Sequence, residues 1–222
     1  MTAVWDKISN LAKDIESRFA ESGVPYNHNT NEYNWYNALY FSPRYRRAHV
    51  EIVDNRESHK LYILHCTIFP HFNDPSPIWG FDAVCGPNKI TGAFHDFSNA
   101  GDPTHSMMQW FKAQAHGLKW NKPRQLPEWA QQIFSSAMVA AGNLQDEAEI
   151  DQLCNTALTT LDFYLKNVGV EQQSGADFHM AQNRYCYYQK QNPHVIKSMV
   201  SMGVPEDTMK RFVNEVLFPE TS

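Results

Sequence analysis

Four strand-like segments with short connections dominate residues 46–97 and constrain the fold of this 222-residue chain more than any other feature. They are rich in β-branched, aromatic and aliphatic residues, which is typical of strands. The segments are RRAHVEIVD (46–54), KLYILHCTIFP (60–70), PIWGFDAVC (77–85) and KITGAFHDF (89–97). Their connections are too short for the crossover helix that parallel strands need, so we expect antiparallel neighbours.

Helical patterns flank these strands. Residues 4–20 place Trp5, Ile8, Leu11, Ile15 and Phe19 at helical spacing. Three later segments also have a helical period: 127–142, 146–167 and 204–218. The mixed stretch 24–45 stays unassigned. A run of strands followed by helices predicts an α+β domain with helices covering an antiparallel sheet, and the length favours one domain over residues 1–222.

Composition and charge exclude several function classes. The chain is 42% hydrophobic and 19% charged, which excludes a disordered protein, and its net charge of −5 argues against a nucleic-acid binder. No apolar stretch reaches the roughly 20 residues that cross a membrane. The four cysteines are too widely spaced for a zinc knuckle or a dithiol motif. We therefore expect a cytoplasmic monomer that binds neither nucleic acid nor membrane.

Two ionisable residues interrupt the most apolar strands: His65 and Asp82. A charge in such a position is costly unless it has a partner. If each turn is symmetric, antiparallel pairing places His49 opposite His65, and His65 opposite Asp82. Alternation along the strand adds Glu51 beside His49, and Asp82 would face Gly92. The sequence thus predicts two imidazoles and two carboxyls on one face of the sheet.

Each of these residues alone is more simply explained as a paired core residue, but their convergence suggests a site. Two chemistries remain open. Closely spaced imidazoles and carboxyls in an apolar cleft can transfer protons near neutral pH. The same set, two imidazoles and two carboxylates, could instead hold iron, manganese or zinc.

Five segments in this order resemble one known family: HVE (49–51), LHCTIFP (64–70), PIWGFDAVCGP (77–87), RQLPEW (124–129) and FVNEVLF (212–218). They span most of the chain, and on them the sequence is similar to the ferredoxin-dependent bilin reductases. The resemblance implies a three-layer α/β/α sandwich with a central antiparallel sheet. It also implies that biliverdin IXα binds between the sheet and the C-terminal helices.

The resemblance implies a chemistry as well. The family reduces the linear tetrapyrrole by single-electron transfers from reduced ferredoxin through bilin radicals, with no flavin, nicotinamide or metal bound. By position, Asp82 matches the aspartate that protonates the bilin, and His65 the histidine hydrogen-bonded beside it. Glu51 matches a glutamate associated with reduction at the exo-vinyl side, and His49 a histidine that tunes the same network.

Further positions match substrate-binding residues of the family. Thr91 stands where the family has a serine that contacts a propionate, and Arg124 where an arginine pairs with one. A guanidinium suits a carboxylate, although Arg124 alone would be interpreted as a solvated surface charge. Asn192 matches the phycocyanobilin-forming branch, since phycoerythrobilin-forming relatives with a second aspartate carry Asp there. A basic residue of that branch is His194 here.

The pigment produced and the surface that binds ferredoxin follow less directly from the resemblance. Glu51, His65 and Asn192 favour phycocyanobilin, whereas the shorter chain and the likeness to phage-borne relatives favour phycoerythrobilin, which we take as the expected product in a phototroph or phage-infected host. The donor is acidic, so we expect it to dock on a basic rim formed by Lys112, Lys119, Lys122 and Lys190. A metal-dependent oxidase and a non-enzymatic tetrapyrrole carrier are the remaining alternatives.

Overall fold

The computed structural model describes residues 3–26 and 33–221. Within this part of the chain, seven strands form one antiparallel sheet in sequence order. They are β1 Val24–Pro25, β2 Tyr36–Phe41, β3 Tyr45–Asn55, β4 Leu61–Pro70, β5 Ile78–Cys85, β6 Ile90–Ser98 and β7 Val139–Leu144. The four predicted strands are confirmed as β3 to β6. Residues 27–32 of the unassigned stretch lie outside the described residues.

Helices cover both faces of this sheet. They are α1 Ala3–Ser22, α2 Ser106–His116, α3 Glu128–Gln131, α4 Glu147–Asn167, α5 His179–Gln189, α6 Pro193–Ser201 and α7 Glu206–Phe212, followed by a π-helical turn, Val213–Leu217. One apolar core joins the sheet to α1, α2 and α4, and a second joins the opposite face to α5, α6, α7 and the π-helical turn. This arrangement confirms the α+β class and the three-layer α/β/α sandwich.

The layer formed by α1 and α4 is the larger core. The predicted apolar stripe of α1 is confirmed, because all five of its residues are buried: Trp5, Ile8, Leu11, Ile15 and Phe19. The Phe19 ring meets the buried Trp79 of β5 edge to face, with the centroids 6.3 Å apart. At the rim, Arg18 and Asp162 pair at 2.6 Å and join α1 to α4. A face this apolar leaves the opposite face of the sheet for polar residues.

The prediction of a helix over residues 127–142 is wrong for most of that range. Only the short α3 forms there, and residues 139–144 become β7. β7 pairs with β6, whose backbone groups would otherwise be left without sheet partners. Ala140 and Ala141 are good helix formers in isolation, but tertiary pairing overrides such weak preferences.

Candidate functional site

One face of the central strands carries the predicted polar row. His65 pairs directly with Asp82, as predicted, and its partner on the other side is Glu51. The prediction that His49 faces His65 is wrong by two residues, because the β3–β4 loop spans residues 56–60 and its centre lies one position further along. His49 instead pairs with Thr67. A two-residue shift preserves the face, so all four predicted residues still share it.

The register beyond Asp82 also differs from the prediction. Asp82 faces Phe94, and Gly92 faces Val84. The β5–β6 loop, residues 86–89, is centred half a position beyond residue 87, and the bulge opposite Val84–Cys85 adds one residue of β6, so the pairing shifts by two residues in all. Gly92 still lies on the site face, two residues along β6. The floor beside Asp82 is therefore an aromatic ring rather than open space.

The C-terminal layer covers the two histidines with aromatic rings. Phe212 lies 6.3 Å from the His49 ring, and Phe218 meets the His65 ring edge to face at 5.6 Å. The two imidazoles are themselves 6.3 Å apart. Phe212 ends α7 and Phe218 follows the π-helical turn, so the end of the described chain forms the roof of the site.

Burial raises the pKa of both carboxyls in the row. The pKa of Asp82 rises to about 7, with burial as its cause. The pKa of Glu51 rises to about 8, because burial outweighs the hydrogen bond that the Trp35 indole donates at 2.8 Å, and Asp82 adds like-charge repulsion. Glu51 and Asp82 lie two strand spacings apart, about 10 Å, on either side of His65. Both can therefore hold a proton near neutral pH.

The two imidazoles are held neutral. Burial, followed by the nearby positive charge of Arg47, lowers the pKa of His65 to about 4, and the same causes with His65 itself place that of His49 well below its usual value. His49 Nε2 contacts Asn37 Oδ1 at 3.0 Å. The Nδ1 atoms of both rings are buried and have no hydrogen-bond partner among the described residues. Buried polar atoms are normally paired, so these two nitrogens are suited to meet a ligand.

Arg124 lies on the same face, at the far edge of the sheet. Lys122 and Arg124 pair with the free edge of β7 through two backbone hydrogen bonds. The guanidinium lies over Gly142, where an added Cβ would come within 2.4 Å of its Nε, and it donates to the Thr91 carbonyl at 2.5 Å. The Thr91 hydroxyl donates to the Val84 carbonyl inside the bulge. Arg124 is exposed, as its residue type suggests, but it is held in place.

Asn192 has a structural contact in this structure. It is the N-cap of α6, and its Oδ1 accepts a hydrogen bond from the His194 backbone N–H at 3.0 Å. Asx side chains are preferred at this position because they satisfy a free N–H of the first turn. Its role toward a substrate stays a prediction.

The four lysines of the expected basic rim do not form one surface of free charges. Lys190 pairs with Glu220 at 2.8 Å, which offsets its charge. Lys112, in the second half of α2, lines an open cleft of about 250 Å³ that also contacts His116, Trp120 and Met138. Lys119 and Lys122 follow in the exposed loop that leads to Arg124.

Two findings concern the metal-site alternative and the expectation about membrane binding. Among the described residues, no group of three or more His, Cys, Asp and Glu side chains is arranged to hold a metal ion. The four residues of the row thus lie along the sheet rather than around one point. No helix in residues 3–26 or 33–221 is long and apolar enough to cross a membrane.

Sequence reasoning missed one buried carboxyl, Asp96 of β6. It lies on the site face opposite Gly80, two residues from Phe94, and is 1% exposed. Burial raises its pKa to about 6, although the Ser135 and Ser98 hydroxyls and the Ser135 backbone N–H all donate to it. Its position in the middle of an apolar strand is the signal that singled out His65 and Asp82, and it could have been used here.

Comparison with known proteins identifies the family of this chain. Residues 9–219 match the family of the ferredoxin-dependent bilin reductases. The chain is 30% identical to the phycocyanobilin:ferredoxin oxidoreductase of Trichodesmium erythraeum over 194 residues, which are 82% of this chain and 75% of that protein. The same enzyme of Prochlorococcus marinus is 28% identical over 186 residues, 79% of this chain and 67% of that one.

Two solved structures share the fold. A structure named PcyX covers 97% of this chain and 99% of its own, with 27% identity and a TM-score of 0.70. The tomato phytochromobilin synthase, solved in complex with biliverdin, covers 95% and 81%, with 14% identity and a TM-score of 0.68. The match over nearly the whole chain, with the polar row in place on the sheet, shows that this protein belongs to the ferredoxin-dependent bilin reductases, a family of oxidoreductases.

Proposed function

We propose that this protein reduces biliverdin IXα to a phytobilin by taking four electrons, one at a time, from reduced ferredoxin, with no prosthetic group of its own. One observation carries the proposal beyond the family. Glu51 and Asp82 can hold protons near neutral pH on either side of the neutral His65, under the aromatic roof.

The arrangement suits a reaction in which the electrons and protons have different sources. Four electrons from ferredoxin require four protons to give the neutral product, and the protein and water must supply them. Asp82, with a pKa of about 7, is protonated often enough to donate and weak enough to recover a proton at neutral pH. His65 lies between the two acids and, being neutral, can accept from one side while it donates to the other.

Arg124 is the proposed partner of a biliverdin propionate. Replacing Arg124 by Ala should weaken biliverdin binding by about tenfold, the lower end for a lost charged hydrogen bond because the site is exposed. The turnover number should change little, because the propionates are remote from the reduced double bonds. Titration of biliverdin absorbance measures the affinity. Lys122→Ala is the matched control, and equal weakening by both variants would contradict a specific role for Arg124.

We propose phycoerythrobilin as the product, with phycocyanobilin as the alternative. The resemblance to phage-borne relatives supports the first, and the residues Glu51, His65 and Asn192 support the second. The first requires Asp82 and water to protonate both the C15 bridge and the A-ring diene without an acid at position 192.

Asn192→Asp tests whether position 192 can contribute. Asp caps a helix as well as Asn, so α6 should be retained and the unfolding temperature should change little. The variant adds a carboxyl at the place where some phycoerythrobilin-forming relatives carry one. We expect it to increase the share of phycoerythrobilin among the products, as measured by chromatography. A product distribution identical to that of the parent chain would mean that this position is remote from the reaction.

Ferredoxin should dock near the open cleft beside α2. Lys112, Lys119 and Lys122 provide positive charge there, close to the β7 edge that carries Arg124. An acidic donor would be steered to such a patch despite the net negative charge of the chain. Lys190 is omitted from this proposal because of its ion pair with Glu220.

An anaerobic assay with reduced ferredoxin and biliverdin, followed by chromatography of the pigment, tests the proposal. We expect a phytobilin four electrons more reduced than biliverdin. Bound biliverdin that keeps its absorption spectrum under these conditions would favour the carrier. Elemental analysis of the active protein separates the other alternative, because a stoichiometric transition metal would favour the oxidase.

A further inference from the structure

The reaction consumes more protons than the polar row can store. The inference rests on the proposed function, a reduction that takes up four protons for each biliverdin. Glu51 and Asp82 hold at most one proton each at neutral pH. At least two protons must therefore reach the site during each turnover, although Phe212 and Phe218 roof it. A resupply route is needed.

Asp96 lies in the right place for such a route. It faces Gly80 on β5, so Asp82 is its diagonal neighbour on the same face, about 7–8 Å away. Both carboxyls line one small cavity of about 30 Å³, which we call the inner cavity. A space of that size with several polar groups in its wall can accommodate one or two water molecules.

The segment that bonds to Asp96 lies between this cavity and the open cleft. Phe134 and Met138 line the inner cavity, and Ser136 and Met138 line the open cleft of about 250 Å³ beside Lys112. Ser135, between them in sequence, is half-buried and donates both its hydroxyl and its backbone N–H to Asp96. Asp96 thus lines the inner cavity and is hydrogen-bonded to Ser135, which is partly exposed and is followed by Ser136 in the wall of the open cleft.

We propose that Asp96 is the residue that resupplies Asp82 with protons, drawing them from the open cleft through the Ser135 hydroxyl and passing them on through water in the inner cavity. In the first step the Ser135 O–H proton moves to the Asp96 carboxylate while a hydronium ion in the cleft gives a proton to the serine oxygen and becomes water. In the second step the Asp96 carboxyl releases its proton to a cavity water, which gives one of its own to the Asp82 carboxylate. One proton enters and one is delivered, and no electrons move.

Both acids can exchange a proton near neutral pH. Burial raises the pKa of Asp96 to about 6 and that of Asp82 to about 7, so each can take up and release a proton in that range. The other titratable groups in the wall of the inner cavity do not compete. His65 is neutral, burial keeps the Tyr185 hydroxyl protonated, and the His95 ring bonds to Gly80 and Thr160 on the opposite side. Gln189, which donates to Tyr185, carries no charge.

Asp96→Asn provides the test, because the amide can keep an acceptor for Ser135 but cannot carry a proton. In a single turnover with excess reduced ferredoxin, the first radical should form and be protonated at the parent rate. The later phases should slow by about tenfold or more, as expected when a positioned proton carrier is lost. Added formic acid should restore them, since a small acid can replace a missing carboxyl but cannot repair a loop.

Two serine variants separate proton delivery from a structural role. Ser98→Ala removes one hydrogen bond to Asp96 but leaves the route intact, so all phases should stay at the parent rate. Ser135→Ala keeps the backbone N–H donor but removes the hydroxyl relay, so its later phases should slow as in Asp96→Asn. Ser135→Ala also tests the proposal if Asp96→Asn does not fold. The unfolding temperature of Asp96→Asn shows whether that variant folds.

The proposal is overturned if either relay variant keeps the parent rate in every phase. It is also overturned if Ser98→Ala slows the later phases as much as Asp96→Asn and Ser135→Ala do, and formic acid restores the rate of none of the three variants. These outcomes are distinct from failure of the proposed function, in which the parent chain itself yields no phytobilin.

Discussion

Replacing Asp82 by Asn is expected to reduce turnover by about 10²–10⁴-fold while biliverdin still binds within a few-fold of the parent affinity. The amide has nearly the volume of the carboxyl but has no acidic proton. The first electron should therefore enter and leave an unprotonated radical, visible by absorption and electron paramagnetic resonance. This variant should therefore retain its affinity for biliverdin while its turnover is largely lost.

The pH dependence gives the same prediction a second readout. Burial raises the pKa of Asp82 to about 7, so the donor form is present below that pH and is lost above it. Turnover by the parent chain should fall about tenfold for each pH unit above the pKa, and the residual activity of Asp82→Asn should lack this fall. Glu57→Gln, at an exposed carboxylate of the β3–β4 loop, is the control. Near-parent turnover by Asp82→Asn would remove Asp82 from the role of central donor.

Glu51→Gln decides between the two products. The Gln side chain can still accept the hydrogen bond from Trp35, so the local structure should be retained. From the resemblance to the family, we propose that Glu51 supports exo-vinyl reduction if the protein follows the phycocyanobilin route. If phycoerythrobilin is the product, no vinyl group is reduced, and we expect chromatography against authentic pigments to give an unchanged product.

The opposite outcome would be equally clear. A Glu51→Gln enzyme that accumulates a two-electron, vinyl-reduced bilin would show that the phycocyanobilin route operates. The raised pKa of Glu51, about 8, keeps this carboxyl protonated at neutral pH. The substitution therefore removes a protonated carboxyl whichever route operates. The parent chain, analysed in parallel, controls for pigment degradation.

The central sheet could be predicted because its strands carry strong local signals. Alternation and turn residues bound β3 to β6, and the pairing of His65 with Asp82 followed from one symmetric turn. The register on either side could not be obtained. The β3–β4 loop is centred one position further along than a symmetric turn at residue 57, and beyond Asp82 an off-centre loop and a bulge together displace the pairing by two residues as well. The site survived both errors, since the period of a strand is two and a shift of two keeps each side chain on its face.

Features that depend on contacts between distant parts of the chain could not be predicted from the sequence. β7 forms from residues with a helical pattern because the edge of β6 needs a partner, which no local signal records. The place of Arg124 over Gly142 depends on that strand in turn. Asp96 could have been found, but its proximity to Ser135 could not, because the two residues meet only when β7 is in the sheet.

The most direct test of this account is the number of electrons that bound biliverdin accepts. An anaerobic complex of the protein with biliverdin would be titrated with reduced ferredoxin while absorbance and radical signal are followed. We expect a radical that rises and decays, and an end point at four electrons per pigment with a phytobilin as the sole product. A spectrum that does not change as reduced ferredoxin is added, or an end point at two electrons, would contradict it.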